Sequence, residues 1–297
     1  MADIKDKDMD GIKLFINKIK LSLQKHTGVT QNKKSYESWL SKGYTNTPTV
    51  TVIIQSHNKS LQVSHIVAKL RAYPSIELIV IDDGSDFTHT RTLARLMTGA
   101  NEFLLHSNDL YENIMYDRTL RMANGKYVAL LQDDDDFDNL EWIQAAVRLF
   151  EQYPALAILG GKDALEFVFQ SPKANGKIIQ ATRPFDFVPA VNRAPMWINR
   201  ELYMQKLHHI DFAFAPFQYD DYELCARAWL NGLQVGWYDA GFKSLSAGGM
   251  RLWNQYFAQQ QYEKNSRQLY SLYNKHQAEI ESLVQQSHRL FLQKSKD

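Results

Sequence analysis

Three acidic clusters in this sequence have the residue types and spacing for chemistry: Asp82-Asp83, the run Asp133 to Asp136 behind Gln132, and Asp220-Asp221. Adjacent carboxylates repel one another, and a fold tolerates four of them best where a cation offsets the charge. Oxygen-only ligands suit Mn²⁺ or Mg²⁺, which keep waters and bind substrate phosphates. On an extended backbone alternate side chains share a face, pairing Asp133 with Asp135 or Asp134 with Asp136, whereas an irregular turn presents neighbours together. The plainer alternative is a solvated loop whose Asp residues cap a helix expected from about 139 to 152, but one cap does not need four carboxylates. Asp220 and Asp221 open a helix expected over 220–230, where acids also favour the helix dipole on structural grounds alone.

These clusters are positioned by a repeating pattern. The apolar runs TVTVIIQ from Thr49, IELIVID, EFLLHS and KYVALLQ alternate with helix-like stretches, which predicts parallel strands covered on both faces. Each run ends in polar residues: 55–59, 82–86, 107–109 and 133–136. Ligands bind at the carboxyl ends of strands in such sheets, so the four ends are expected to share one crevice. After the 139–152 helix, ALAILGG reads as less regular. ALEFVFQ and KIIQATR read as an antiparallel hairpin split by a loop holding Asn175-Gly176. The 220–230 helix, stopped by Asn231-Gly232, leads into the strand LQVGWYD. The expected organisation is a helical N-terminal extension over 1–46, an α/β catalytic domain over 47–250, and a helical C-terminal extension over 251–297.

The 297 residues are 44% hydrophobic, enough to bury a sizeable core, and 34 basic against 33 acidic side chains create no global field toward nucleic acid. One cysteine, Cys225, excludes an internal disulfide and a multi-cysteine zinc site, and it reads as a small buried hydrophobe. The histidines lack zinc-protease spacing. Neither a secretory start nor an apolar stretch of membrane-spanning length is apparent, so a reducing cytoplasm is expected. In GIKLFINKIKLSLQK, Lys13, Lys18, Lys20 and Lys25 accompany Ile12, Phe15, Ile16, Ile19 and Leu23. Such a helix can lie on the inner face of an anionic membrane, or pack on the catalytic domain or on another subunit in an oligomer.

Four blocks in order, VIIQSHNKS (52–60), LIVIDDGSD (78–86), GKYVALLQDDDDF (125–137) and YDDYELCARAWLNGLQVGW (219–237), resemble the glycosyltransferase family 2 catalytic domain, which has the GT-A fold. The resemblance covers roughly residues 47–250. It implies a mostly parallel central sheet with helices on both faces, and an inverting transfer of a sugar from a nucleotide diphosphate. Carried over by position, Gln55, Ser56, Asn58 and Asp83 line the nucleoside pocket, Asp83 facing the base. Asp133 lies near the ribose, Asp134 takes the position of the metal ligand, and Asp135 follows it as the second candidate. Asp221, after Asp220, takes the general base. Gln132 stands where many members carry Asp, which leaves the metal register open by one residue. YDRTL at 116–120 replaces the usual RN-x-G pattern and leaves Arg118 a candidate only.

A UDP-sugar donor and a glycan or lipid-linked hydroxyl acceptor follow from family habit. Arg251, beside Gly248-Gly249, is a candidate for the diphosphate, and Trp197 and Trp253 are candidate stacking surfaces for a sugar. A nucleotidyltransferase would want a Gly-rich basic turn after the first strand, which QSHNKS lacks. A catalytically silent protein of the same fold would not need the carboxylates at Asp83, Asp134 and Asp221.

Overall fold

Seven successive buried residues, Val50–Ser56, form β1, followed by α2 (Ser60–Leu70) after the N-terminal helix α1 (Asp3–Ser41). This computed structural model describes residues 3–180, 183–193, 195–244 and 255–294. The pattern continues through β2 (Ile76–Asp83), α3 (Phe87–Leu96), β3 (Glu102–Ser107), α4 (Tyr111–Met122), β4 (Tyr127–Gln132), the short β5 (Asp135–Asp136) and α5 (Glu141–Gln152). Next come β6 (Leu156–Gly160), β7 (Ala164–Gln170), β8 (Lys173–Ile179), β9 (Phe185–Phe187), β10 (Ala190–Val191), β11 (Met196–Asn199) and the single turn α6 (Arg200–Leu202). Then follow α7 (Asp220–Leu230), β12 (Gln234–Tyr238), β13 (Lys243–Ser244), α8 (Gln255–Tyr273) and α9 (Gln277–Lys294).

Eight strands make the central sheet in the order β3-β2-β1-β4-β11-β6-β12-β9. The first four are parallel, and β11 runs antiparallel between β4 and β6. Strands covered on both faces are buried at every position, so β1 and β2 are largely apolar and do not alternate, and the buried Glu77 accepts from Thr51 Oγ1 at 2.6 Å. Each fully buried Val or Ile there contributes roughly 1.5–3 kcal/mol. Val63, Ile66, Val67 and Leu70 form the matching buried stripe of α2. In register, Gln55 sits beside Ile81 and Gln132, Ser56 beside Asp82, and Asp83 beside Ser107. The ends of β1, β2, β3 and β4 therefore finish level with one another to within about a residue.

Two sequence expectations are corrected here. ALAILGG is regular: it supplies β6, a buried strand of the central sheet. The hairpin is present, but it turns at Ser171-Pro172, and Asn175 and Gly176 lie inside β8 opposite Val168 and Phe167. The reason is packing: a Cβ at Gly176 would run into the Tyr222 ring, and the Asn175 side chain receives Tyr219 and Tyr262.

The chain divides into two compact units, one comprising residues to Thr45 with Gly99–Asn101, the other the remainder. In the first, α1 is one continuous helix, and Ile12, Phe15, Ile16, Ile19 and Leu23 on it are exposed.

Candidate active site

The end of β1 turns through Asn58, whose φ is 58°. Asn58 N donates to Ser85 Oγ at 2.9 Å, and its Oδ1 accepts from Asp86 N at 2.7 Å, which ties this turn to the one after β2. Asp83 lies beneath both and is fully buried. Its carboxylate accepts from Gln55 Nε2 at 3.1 Å, Ser107 Oγ at 2.6 Å, Leu110 N at 2.9 Å and Tyr111 N at 2.8 Å. Those four donors already use its lone pairs, so a nucleoside base would have to take the place of one of them. Ser56 is also buried, with an unpartnered Oγ among the described residues.

The acidic run splits into separate environments. Asp133 Oδ2 accepts from His57 N at 2.9 Å and its Oδ1 lies 3.2 Å from Lys59 Nζ, which joins the β4 end to the β1 turn. Asp136 points the other way, 2.6 Å from Lys69 Nζ. Burial pushes Asp136 up, but the Lys69 bond prevails and holds it below the usual carboxylate range. Between them, Asp134 and Asp135 are buried, and Asp135 Oδ2 accepts from Gln132 N at 2.9 Å while its Oδ1 has no partner among the described residues. Burial, helped by the charge on Asp134, pushes the Asp135 carboxyl up to about 8. An orphaned carboxylate oxygen beside a second buried carboxylate is a donor set that fits a hard divalent cation. Among the described residues no three His, Cys, Asp or Glu side chains form a complete cage. The pair suits an ion that keeps waters or takes oxygens from a substrate. A short ladder, Asp135 with Ser244 and Asp136 with Lys243, holds this turn in place.

Gln132 also lines a cavity of about 300 Å³ together with the start of α7. Asp220 is buried there and pairs with the equally buried Arg193, with its Oδ1 unpartnered among the described residues. Burial alone would lower Arg193, but Asp220 and then Asp221 raise it above its ordinary value. The guanidinium also sits 5.0 Å from the centre of the Tyr116 ring. Asp221 lines the same cavity, and its Oδ1 accepts from Tyr222 N at 3.0 Å. Burial, then the charge of Asp221, pushes the Tyr222 phenol up, so it stays a neutral hydrogen-bonding group.

The structure brings Gln55, Asn58, Asp83 and Asp133 together at the β1 and β2 ends, and Gln132, Asp220 and Asp221 around the cavity. Arg118 joins neither group. On α4, Tyr116, Thr119 and Leu120 face inward, which leaves Arg118 exposed over the Phe212 ring at 5.4 Å. Trp197 is a core residue, fully buried, with Nε1 donating to Tyr238 Oη at 3.0 Å. Arg251, Trp253 and the glycines at 248 and 249 lie outside the described residues. Sequence reasoning missed Arg193, Asn175, Asn192, Tyr222 and Tyr262, all on the cavity wall. Arg193 stands in a loop without periodicity, and only the rule that a buried Asp needs a partner points toward it.

Residues 51–177 match the sequence profile of the Glycosyl transferase family 2 family. A glucosyl-dolichyl phosphate glucuronosyltransferase of Haloferax volcanii is 28% identical over 105 residues, 35% of this chain and 33% of that protein. The chain therefore matches about a third of that relative's length. Among solved structures, the mannosyltransferase PcManGT of Pyrobaculum calidifontis, in complex with GDP-Man and Mn²⁺, superposes with a TM-score of 0.51 at 16% identity, covering 80% of this chain and 70% of that one. TarS 1-349 of S. aureus with UDP-GlcNAc gives 0.51 at 15% identity, covering 70% and 61%. GalNAc-T7 with UDP, GalNAc and Mn²⁺ gives 0.52 at 15% identity, covering 66% and 43%. These likenesses establish a shared GT-A fold.

Proposed function

Residues 51–177 are a glycosyltransferase family 2 domain, and from that premise we propose that the chain transfers a sugar from a nucleoside diphosphate, UDP by preference, to a hydroxyl of a glycan or lipid-linked acceptor, with inversion. One observation carries this reading: Gln132, at the head of the carboxylate turn, and Asp221 line the same cavity. The turn suited to the departing diphosphate thus begins at the cavity that Asp221 lines.

Asp134 and Asp135 would hold Mn²⁺ or Mg²⁺, whose charge offsets the negative charge gathering on the diphosphate. Asp221 accepts the proton of the acceptor hydroxyl as its oxygen bonds to the anomeric carbon and the bond to the diphosphate breaks. A single base with no carboxylate nucleophile gives one in-line displacement, hence inversion. Arg193 engages Asp220 in an ion pair, which leaves Asp221 for that role. Gln55, Ser56, Asn58 and Asp133 frame the nucleoside side. The Mn²⁺ beside PcManGT and GalNAc-T7, and the GDP-Man and UDP-GlcNAc bound to PcManGT and TarS, support the donor class and the cation. Among the described residues no helix is long and apolar enough to cross a membrane, and we place the protein in the cytoplasm, with α1 as its contact to the inner membrane face or to another subunit.

The test is a panel of nucleotide sugars assayed for release of the nucleoside diphosphate, with Mn²⁺, with Mg²⁺ and with chelator. Turnover of one donor class that chelator abolishes is expected; equal turnover with and without chelator would remove the cation from the reading.

A further inference from the structure

The backbone that delivers Asp220 and Asp221 is strained where it meets α7. Gln218 and Tyr219 have φ of 78° and 65°, the left-handed region that side chains bearing a Cβ avoid. Neither is a glycine, so surrounding structure must impose the conformation. It comes from α8. Asn265 is fully buried, and its Nδ2 lies 2.8, 2.9 and 2.9 Å from the carbonyl oxygens of Phe214, Phe217 and Gln218, which share its two N–H donors. Three converging acceptors require the amino end of the amide to face the turn, which fixes the orientation chemically.

Neighbours on the same face of α8 hold the adjoining walls. Tyr262 Oη donates to Asn175 Oδ1 at 2.6 Å, the oxygen that also receives Tyr219 Oη at 2.9 Å. Ser266 Oγ donates to Ala174 O at 2.6 Å, and Tyr273 Oη to Glu223 Oε1, on α7, at 2.8 Å. One helix from beyond the family-matched residues thus grips β8, the 214–219 turn and α7 together.

We propose that Asn265 is a positioning residue: by gathering three carbonyls it holds the turn in the left-handed geometry that sets Asp221 on the cavity. The kinetic part of this proposal rests on the transferase reading above. The hydrogen bonds of Asn265 itself go to the turn and not to Gln55, Asn58 or Asp83. The turn meets the nucleoside side through the Phe217 ring stacked on Tyr111 at 5.1 Å, so loss of Asn265 should act mainly on the chemical step.

Wild type, Asn265→Ala, Asn265→Ser and Leu269→Ala are compared as full chains by hydrogen exchange of the 214–222 amides and by steady-state transfer. Leu269 is a buried apolar side chain on the same helix face and serves as the purely structural control. Asn265→Ala is expected to quicken exchange at 214–222 by roughly tenfold beyond any change elsewhere. Its kcat is expected to fall ~10- to 100-fold, with donor KM within about twofold of wild type. Asn265→Ser retains one donor and falls between, and it carries the comparison if the alanine variant does not fold. Leu269→Ala lowers Tm with kcat within about twofold of wild type. Unchanged exchange at 214–222 in the Asn265 variants, or quickened exchange with unaltered kcat, overturns the proposal. If the wild type transfers sugar from no nucleotide donor, that failure belongs to the functional reading, and the exchange comparison still decides whether Asn265 holds the turn.

Discussion

Adjacent at the start of α7, Asp220 and Asp221 are set apart by what surrounds them: one is buried against Arg193, the other lines the cavity. Asn at 221 keeps the shape but not the proton acceptor, so Asp221→Asn is expected to lower turnover by about two to four orders of magnitude while donor affinity persists. Magnetic resonance of the product should show the anomeric configuration opposite to the donor's. Asp220→Asn is expected to cost less turnover but more stability, because it strips the buried Arg193 of its paired charge, at roughly 3–5 kcal/mol. Thermal unfolding of the two variants separates these outcomes. At Asp83, Ala substitution is expected to weaken nucleotide binding by ~1.5–3 kcal/mol. Since Ser107, Leu110 and Tyr111 donate to it, a lowered Tm should accompany the loss, and calorimetry with unfolding on one sample reads both. The acidic residues were legible in sequence because charge at the end of an apolar strand demands a reason. Arg193 and Asn265 were not, since a lone Arg in a loop and a lone Asn in a polar helix look solvated until the fold closes over them.

Among the elements, the strands and helices up to β4 followed from alternation of apolar runs with amphipathic stretches, and α7 runs over the residues its acidic start and Asn231-Gly232 stop suggest. Legibility failed in the second half, where local signals and tertiary demands diverge. Asn175-Gly176 carries a strong turn signal, yet the pair serves β8 because the Tyr222 ring needs a position without a Cβ and Tyr219 and Tyr262 need an acceptor. Conversely, α1 is longer than either of the two segments seen in sequence, and Ile12, Phe15, Ile16, Ile19 and Leu23 on it are exposed. Deleting residues 1–30 is expected to abolish sedimentation with anionic liposomes and to leave it unaffected with neutral ones. Failure of the intact chain to sediment with either would end the membrane reading of that helix and favour the subunit contact, visible as a change in molar mass by light scattering.

At the scale of the whole molecule, α/β class and parallel pairing were readable, but the strand order was not. Nothing in MWIN says that β11 slots antiparallel between β4 and β6, because that placement is decided by which edges remain open once the parallel half has formed. The sheet therefore joins segments remote in sequence, such as β1 with β4, and folding of this kind is slow to nucleate. The chain carries its own probe of how tightly the result is held. Cys225 is its sole thiol, fully buried four residues after Asp221, with Sγ 3.9 Å from Val191 O, and burial raises its pKa above the ordinary value. Alkylating reagents attack the thiolate, so native protein should label far more slowly than unfolded chain. Label uptake would then clock each opening of the seam between α7 and β10, and saturating nucleotide diphosphate with Mn²⁺ should slow that clock in proportion to the bound fraction.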